Sequence, residues 1–357
     1  MVYKVIGLMS GSSLDGLDIA YVHLQEKAAT GKGPRGWEFT FIQTACYDYT
    51  EEWKQRLTNA PNLSAMDYQL LHVEYGHYLG EQVLRFIDEF GLHYQVQLIA
   101  SHGHTAFHLP AQRMTAQLGD GAAIAAKTKI NVVSDLRALD VALGGQGAPI
   151  VPIGERLLFP EYDMFLNLGG IANIAKKGLG FDVVPANRIL NALACREGYA
   201  YDEGGKLAAA GKVNDALLQR LNALSYYQVP PPKSLGNEWG LTTVLPMLDG
   251  MPVLDALRTY VEHIALQVAN AAKFLGSEGK LLITGGGVHN EFLVTRLIDL
   301  LKLEVVLPDT QLADYKEALV MALIGVLRWR EENNVLASVT GASRDSIGGA
   351  VWIGQEA

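Results

Sequence analysis

The sequence is poor in cysteine and has no excess of positive charge. Only two of its 357 residues are cysteines, Cys46 and Cys195, too few for a disulfide framework or a thiolate zinc site. Lysine and arginine together number 29 against 38 aspartates and glutamates, so the formal net charge is −9. A nucleic-acid-binding protein is expected to carry a basic excess or stripe. We therefore expect no nucleic-acid partner, and any anionic ligand must be held locally by backbone amides, helix N-termini or a metal ion.

Long apolar runs are also missing. The longest run, 318–327, has ten residues between Glu317 and Arg328, whereas a helix that spans a bilayer needs about 20. Residues 1–7 are typical of a strand that enters a turn and lack the long apolar core of a signal peptide. We expect a cytoplasmic protein with no membrane partner. Hydrophobic residues still make up 49% of the chain, enough to bury sizeable cores, and the length favours two domains.

A strand, a glycine-containing turn and a second strand occur twice along the chain. Predicted strands over 4–9 and 17–24 flank a Gly/Ser turn, and predicted strands over 164–168 and 172–175 flank two glycines. Because the two copies lie about 160 residues apart, the repeat indicates two related α/β lobes that face each other.

The first of these turns is the most informative segment, Gly-Leu-Met-Ser-Gly-Ser-Ser-Leu-Asp-Gly-Leu-Asp over residues 7–18. Glycines at 11 and 16 allow a tight turn that can present backbone amides to a phosphate, and Asp15 or Asp18 could position Mg²⁺ through water. The segment is not a Walker loop, because the Gly-Lys-Ser/Thr ending is missing. The alternative interpretation is a polar hairpin tip.

Asp182 lies at the end of a predicted buried strand over 180–184. If the two hairpins face each other, its carboxylate lies across a cleft from residues 11–15, where it could act as the general base of a phosphoryl transfer. The alternative is an aspartate that begins a turn before Pro185. The following segment 230–234, Pro-Pro-Pro-Lys-Ser, is either a loop at the mouth of the cleft or a linker.

The segment 283–290 is a strand, a triple glycine and the start of a helix that Asn290 can cap. Its bare backbone allows a base or ribose to approach closely, and the helix N-terminus favours an anion. A plain tight turn is the alternative.

Several other polar residues stand at the ends of predicted elements. His102 and His104 share one strand face, but no acidic partner follows at a fixed spacing, which favours hydrogen bonding over metal ligation. Asp135, Arg137 and Glu317 can each hydrogen-bond sugar hydroxyls or act as solvent-facing caps.

Together these segments resemble the anhydro-N-acetylmuramic acid kinase family, which are sugar kinases of the actin/hexokinase/Hsp70-like superfamily. The similarity runs in order over nearly the whole chain, through residues 7–18, 101–105, 132–137, 144–149, 167–173, 231–234, 285–290, 316–318 and 339–342. The resemblance implies an α/β, two-lobed actin-like ATPase (ribonuclease H-like) fold with a central cleft. The N-terminal lobe would comprise 1–155 plus 340–357 and the C-terminal lobe 156–339.

The resemblance also implies an activity. The family hydrolytically opens the 1,6-anhydro bridge of anhydro-N-acetylmuramic acid and phosphorylates O6 from ATP, giving N-acetylmuramic acid 6-phosphate and ADP in peptidoglycan recycling. It implies ATP and Mg²⁺ as cofactors, a small amino sugar as substrate and a homodimeric assembly.

The matched residues would take the following roles. Asp182 would be the base that activates water. The ATP phosphates and adenosine would bind Gly11, Ser12, Ser13, Leu14, Asp15, Gly16, Leu17, Asp18, Gly285, Gly286, Gly287 and Asn290. The sugar would be held by Arg137, Asp135, His104 and Glu317, and Mg²⁺ by Asp15 and Asp182 through water.

The chain departs from the family pattern in residues 180–187. The family usually has Gly-Phe/Tyr-Asp-Thr-Gly-Pro-Gly-Asn, and this chain has Gly-Phe-Asp-Val-Val-Pro-Ala-Asn. Val183 lacks a hydroxyl, while Val184 and Ala186 replace glycines, so we expect side chains where phosphates should approach. A degenerate sugar-binding protein with weak or no ATP use is therefore an alternative. His104 stands where Gln is usual, and Gly121-Ala-Ala replaces the more polar residues that usually follow Asp120, which leaves open a changed sugar substrate.

Overall fold

A computed structural model describes residues 1–11, 14–27, 36–176, 179–231, 233–276 and 278–354. The chain divides into two compact units, Met1–Pro160 with Tyr315–Ala357, and Glu161–Asp314. Over the described ranges, no helix combines the length and the apolar character needed to cross a membrane.

The strands of the described residues are β1 (Val2–Ser10), β2 (Gly16–Glu26), β3 (Trp37–Asp48), β4 (Leu98–Ser101), β5 (His104–Leu109), β6 (Met114–Leu118), β7 (Asn131–Ser134), β8 (Met164–Leu168), β9 (Ile171–Lys176), β10 (Leu179–Pro185), β11 (Lys280–Thr284), β12 (Glu304–Val306) and β13 (Ala350–Trp352). The α-helices are α1 (Glu51–Asn59), α2 (Ala65–Glu89), α3 (Gly121–Thr128), α4 (Ala138–Ala142), α5 (Pro152–Leu158), α6 (Asn187–Cys195), α7 (Lys206–Ala210), α8 (Asp215–Asn222), α9 (Ser225–Gln228), α10 (Asn237–Trp239), α11 (Val253–Leu275), α12 (Glu291–Leu300), α13 (Thr310–Trp329) and α14 (Ala337–Thr340).

Both units contain a sheet of the same design. In the first unit the order is β13-β7-β4-β1-β2-β3, with β1, β2 and β3 antiparallel and β4 and β7 parallel to β1. In the second unit the order is β10-β9-β8-β11-β12, with β8, β9 and β10 antiparallel and β11 and β12 parallel to β8. Each sheet thus contains a three-stranded meander extended by two parallel strands, and the first sheet has β13 as a sixth strand, antiparallel to β7. The predicted α/β fold and the repeated hairpin are confirmed.

The chain returns to the first unit at Tyr315, whereas the sequence predicts that it returns at residue 340. The reason is the packing of α13. Gly7 of β1 lies against the backbone of Ala318, where a Cβ would collide, and Gly325 packs on Ala100 of β4. The apolar middle of α13 is therefore part of the core of the first unit.

The second unit has its own core around α11. Fully buried side chains of this helix, including Tyr260 and Ile264, belong to one apolar cluster with residues of β8, β9 and β10. Val184 and Ala186 are members of this cluster and are both 0% exposed.

Candidate functional site

The turn between β1 and β2 holds most of the predicted phosphate-binding residues. Ser12 and Ser13 lie outside the described residues. Leu14 adopts a left-handed conformation (φ 58°) and its amide donates to the carbonyl of Gly11 at 3.3 Å, while the Asp15 carbonyl accepts from Tyr49 N at 3.3 Å. Gly16 is required because a Cβ there would lie 2.6 Å from Cys46 Sγ. The described residues on the C-terminal side of the turn are therefore fixed by contacts with β3 and with the residue that follows it.

Besides Gly16, two further residues assigned to the same loop, Leu17 and Asp18, lie within β2. Leu17 is 1% exposed and part of the core of the first unit. Asp18 pairs with Cys46 across the β2–β3 ladder, and a side-chain hydrogen bond to Asp18 contributes, after burial, to raising the pKa of the Cys46 thiol. The structure thus places both in the strand that supports the turn.

A chain of buried hydroxyl groups includes Ser10, the last residue of β1. Tyr49 Oη donates to Ser10 Oγ at 2.9 Å and lies 2.6 Å from Tyr75 Oη, and Ser10 Oγ lies 3.3 Å from His104 Nδ1. Burial lowers the pKa of His104 to about 4, so its ring is neutral at physiological pH. Ser10 and His104 belong to separate sequence motifs, and no pattern in the sequence predicts that Tyr75 of α2 joins them.

Arg137 is held by two acceptors of the first unit. Its Nε donates to His102 Nε2 at 2.8 Å and its Nη1 donates to the carbonyl of Gly147 at 2.6 Å. Burial raises the pKa of the Glu317 carboxyl, and the positive charges of Lys316 and Arg137 partly offset this rise. The structure therefore brings the predicted sugar residues Arg137 and Glu317 within electrostatic range of each other.

Asp135 follows β7 in a strained backbone conformation. Its φ of 56° is in the left-handed region, which a non-glycine residue adopts at a cost of about 1–3 kcal/mol. Burial raises the pKa of its carboxyl, and His72 acts in the opposite direction.

The altered neighbourhood of Asp120 has a packing explanation. Asp120 caps α3 by accepting from the amides of Ala122 (3.1 Å) and Ala123 (3.2 Å). A Cβ on Gly121 would collide with Ser134 Oγ and lie 2.5 Å from a ring carbon of Trp352. The small residue therefore fits the contact of α3 with β7 and β13.

In the second unit, Asp182 is held by the segment that follows α9. The carboxylate oxygen Oδ2 accepts from Leu235 N at 2.9 Å, the amide of Asp182 donates to the Lys233 carbonyl at 3.2 Å, and Tyr226 Oη donates to the Asp182 carbonyl at 2.6 Å. Burial raises the pKa of Asp182 and the Leu235 amide lowers it. Because Lys233 belongs to the Pro-Pro-Pro-Lys-Ser segment, this segment contacts the candidate base and is not a free linker.

Residues 183–186 do not form an open phosphate loop. The side chains of Val184 and Ala186 are buried in the core, so the expectation that they point toward phosphates is wrong. The amide of Ala186 donates to the Gly170 carbonyl at 2.8 Å and that of Asn187 donates to the Gly169 carbonyl at 3.2 Å. Both amides are therefore already hydrogen-bonded to carbonyls of the turn between β8 and β9. By sheet order, that turn is the counterpart of the turn between β1 and β2.

The triple glycine combines close packing with open space. Gly285 has a φ of 88°, and a Cβ on Gly287 would lie 2.7 Å from Leu168 Cβ. A Cβ on Gly286, in contrast, would meet no heavy atom within 4 Å among the described residues. Asn290 caps α12, as predicted, by accepting from Leu293 N at 2.9 Å. The backbone at Gly286 is therefore accessible to a ligand.

A second glycine turn, which sequence reasoning missed, packs on this loop. Gly204 and Gly205 have φ values of 65° and 74°, and a Cβ on Gly205 would collide with Asn290 Oδ1. Asp202 fixes the turn by accepting from the amides of Leu207 (2.8 Å) and Ala208 (2.9 Å). The run Asp-Glu-Gly-Gly over residues 202–205 is the sequence pattern that could have predicted this turn.

The described part of the chain contains no cluster of three or more His, Cys, Asp or Glu side chains suited to a metal ion. The predicted pair for Mg²⁺ is divided, with Asp15 in the first unit and Asp182 in the second. His102 serves as a hydrogen-bond acceptor for Arg137, in agreement with the preference for hydrogen bonding over metal ligation.

Comparison with known proteins shows the family. The family model described as "Anhydro-N-acetylmuramic acid kinase" matches residues 3–354. The chain belongs to the anhydro-N-acetylmuramic acid kinase family. Proteins named anhydro-N-acetylmuramic acid kinase from Photobacterium profundum, Vibrio parahaemolyticus and Coxiella burnetii are 33%, 35% and 35% identical to it. The alignments cover 98%, 95% and 99% of this chain and 99%, 95% and 98% of the relatives. Membership in this family therefore holds over essentially the full length, including the altered residues 183–186.

Proposed function

We propose that this chain is an ATP-dependent phosphotransferase that opens 1,6-anhydro-N-acetylmuramic acid with water and phosphorylates O6, giving N-acetylmuramic acid 6-phosphate and ADP. Family membership over residues 3–354 supports the reaction class and the sugar. The observation that carries the proposal is the placement of Asp182, a partly buried carboxylate with a raised pKa and one oxygen fixed by Leu235 N. A base with a raised pKa accepts a proton more readily.

In this proposal Asp182 is the general base. One Asp182 oxygen takes a proton from water, and the water oxygen bonds to the anomeric carbon while the bond from that carbon to O6 breaks. O6 then forms a bond to the γ-phosphorus of ATP, and ADP leaves. Since Leu235 N binds Oδ2, Oδ1 is the oxygen assigned to the proton transfer.

The ATP-binding residues in this proposal come from the glycine turns. The turn of residues 11–16 supplies backbone amides to phosphate, and the exposed peptide at Gly286 supports contact with the adenosine. The carboxylates of Asp15 and Asp182 are each hard oxygen donors of the kind that Mg²⁺ binds through water. Bound Mg²⁺ would neutralise charge on the phosphates.

Sugar binding is assigned to the first unit. Arg137, Asp135, His104 and Glu317 supply a cation, two carboxyls with raised pKa and a neutral imidazole. We further propose a cytoplasmic location, supported by the two free cysteines, and a homodimer, supported by the family resemblance. Light scattering on the purified protein tests the assembly.

The direct test is to incubate the protein with Mg-ATP and anhydro-N-acetylmuramic acid and to identify the product by mass spectrometry. We expect the 6-phosphate and one ADP per sugar. Absence of product at high enzyme concentration would overturn the proposal. Turnover of another anhydro-sugar in clear preference would instead redirect it toward that substrate.

A further inference from the structure

His102 and Arg137 form a hydrogen-bonded pair in the first unit. His102 follows β4, is 4% exposed, and its backbone amide donates to the Leu8 carbonyl at 3.1 Å. Arg137 Nε donates to the His102 ring at 2.8 Å, and Arg137 Nη1 donates to the Gly147 carbonyl at 2.6 Å. Two separate acceptors therefore fix the plane of this guanidinium.

The partners of His102 fix its tautomer. A guanidinium has no acceptor atom, so the nitrogen that faces it, Nε2, must be the unprotonated one. A carbonyl oxygen can only accept, so Nδ1, 2.8 Å from the Gly103 carbonyl, must carry the proton. Burial, followed by the charge of Arg137, lowers the pKa of His102 to about 3, which keeps the ring in this neutral state.

The second acceptor of Arg137 is itself anchored. Gly147 N donates to Asp140 Oδ2 at 2.8 Å, and Thr340 Oγ1 donates to Asp140 Oδ1 at 2.7 Å. Gly147 has a φ of 64°, and a Cβ there would lie 2.5 Å from Val141 Cγ2. The carbonyl that binds Arg137 therefore has a fixed direction.

Both acceptors orient Arg137 without neutralising it. Burial lowers the pKa of Arg137 to about 10, and Glu317 and Asp140 act in the opposite direction, so the group is positive at neutral pH. The ring nitrogen and the carbonyl oxygen that hydrogen-bond Arg137 carry no charge themselves, and the nearby carboxylates of Glu317 and Asp140 stabilise its positive charge.

We infer that His102 is a positioning residue: its neutral ring accepts from Arg137 and so orients the guanidinium that holds the sugar, without touching the sugar itself. This inference rests on the proposed function, in which Arg137 is a sugar-binding residue.

The test uses two matched variants that remove opposite halves of the histidine. The longer side chain in His102→Gln can place an amide oxygen near the position of Nε2 and keep the acceptor. The shorter side chain in His102→Asn reaches only the position of Nδ1, so it keeps the donor and loses the acceptor. We expect H102N to raise the KM for the sugar about 10-fold, as for the loss of a hydrogen bond to a charged group, with the KM for ATP unchanged. H102Q should recover most of this loss.

Two further measurements separate this inference from the proposed function. Long-range ¹H–¹⁵N spectra of the wild type should show His102 protonated at Nδ1 and unprotonated at Nε2 throughout pH 5–8, and the opposite tautomer or a titration in that range would overturn the inference.

Arg137→Lys should raise the KM for the sugar. If it does and H102N does not, the positioning role is wrong and the proposed function stands. If R137K itself leaves that KM unchanged, the assignment of Arg137 to the sugar fails and the inference fails with it. An equal loss in H102Q and H102N, with equally lowered melting temperatures, would show a purely structural role and also overturn it.

Discussion

The hydrogen bond from Leu235 N to Asp182 tunes the candidate base and can be removed by one substitution. Proline has no backbone N–H, so Leu235→Pro deletes the donor that lies 2.9 Å from Oδ2, whereas Leu235→Ala keeps it. The bond favours the ionised carboxylate, and burial opposes it. Deleting the donor should therefore raise the pKa of Asp182 and move the acidic limb of the kcat profile to higher pH.

The size of this effect follows from the geometry. A hydrogen bond to a charged group contributes about 1.5–3 kcal/mol, and the lower end applies because Asp182 is only partly buried. That energy corresponds to roughly a 10-fold change in the ionisation equilibrium of the carboxyl.

The assay is kcat as a function of pH with both substrates saturating, for the wild type, L235A and L235P. L235A should retain the wild-type limb. If L235P melts at the same temperature as L235A, turns over and shows an unshifted limb, then either Asp182 is not the group that titrates or the amide does not tune it.

The remaining predictions concern the altered segment 183–186, the triple glycine and the effect of the Asp182 carboxylate on protein stability. Val184→Ala should destabilise the protein by about 2 kcal/mol because it leaves a cavity in a fully buried site, with no gain in ATP affinity by calorimetry; tighter ATP binding at unchanged stability would show that Val184 faces the ligand after all. Gly287→Ala should lower the melting temperature through its clash with Leu168, while Gly286→Ala should keep the melting temperature and raise the KM for ATP; the reverse pattern would contradict the assigned accessibility. Asp182→Asn should melt at a higher temperature than the wild type at pH 7, since a carboxyl whose folded pKa is raised loses stability as pH rises through that pKa. The difference should vanish below about pH 3.9, the ordinary pKa of an aspartate, and a less stable variant at pH 7 would refute the burial argument.

Local sequence signals predicted the hairpins well. Alternating apolar residues around a Gly/Ser turn, and again around Gly169 and Gly170, are determined by neighbours in the chain, and both pairs of strands are present. The return of the chain to the first unit was placed too late. It depends on the fit of α13 onto Gly7, more than 300 residues away in sequence, and no local pattern records that contact.

The candidate site likewise combines features that the local sequence predicts with contacts between distant residues that it does not predict. Asp182 could be predicted because a carboxylate at a strand end is a local feature, but its partners Tyr226 and Leu235 lie 44 and 53 positions away. The loss of glycine at 184 and 186 predicts a blocked phosphate site, because the direction in which these side chains point, into the core, depends on tertiary packing and not on the local sequence.

The measurement that tests the central claim most directly is turnover of anhydro-N-acetylmuramic acid by the wild type and by Asp182→Asn, followed side by side by ³¹P and ¹H NMR with Mg-ATP. We predict that the wild type forms the sugar 6-phosphate and ADP, and that the folded D182N protein forms neither at a measurable rate. Formation of the 6-phosphate by D182N at the wild-type rate would contradict the account, as would the absence of product from the wild type.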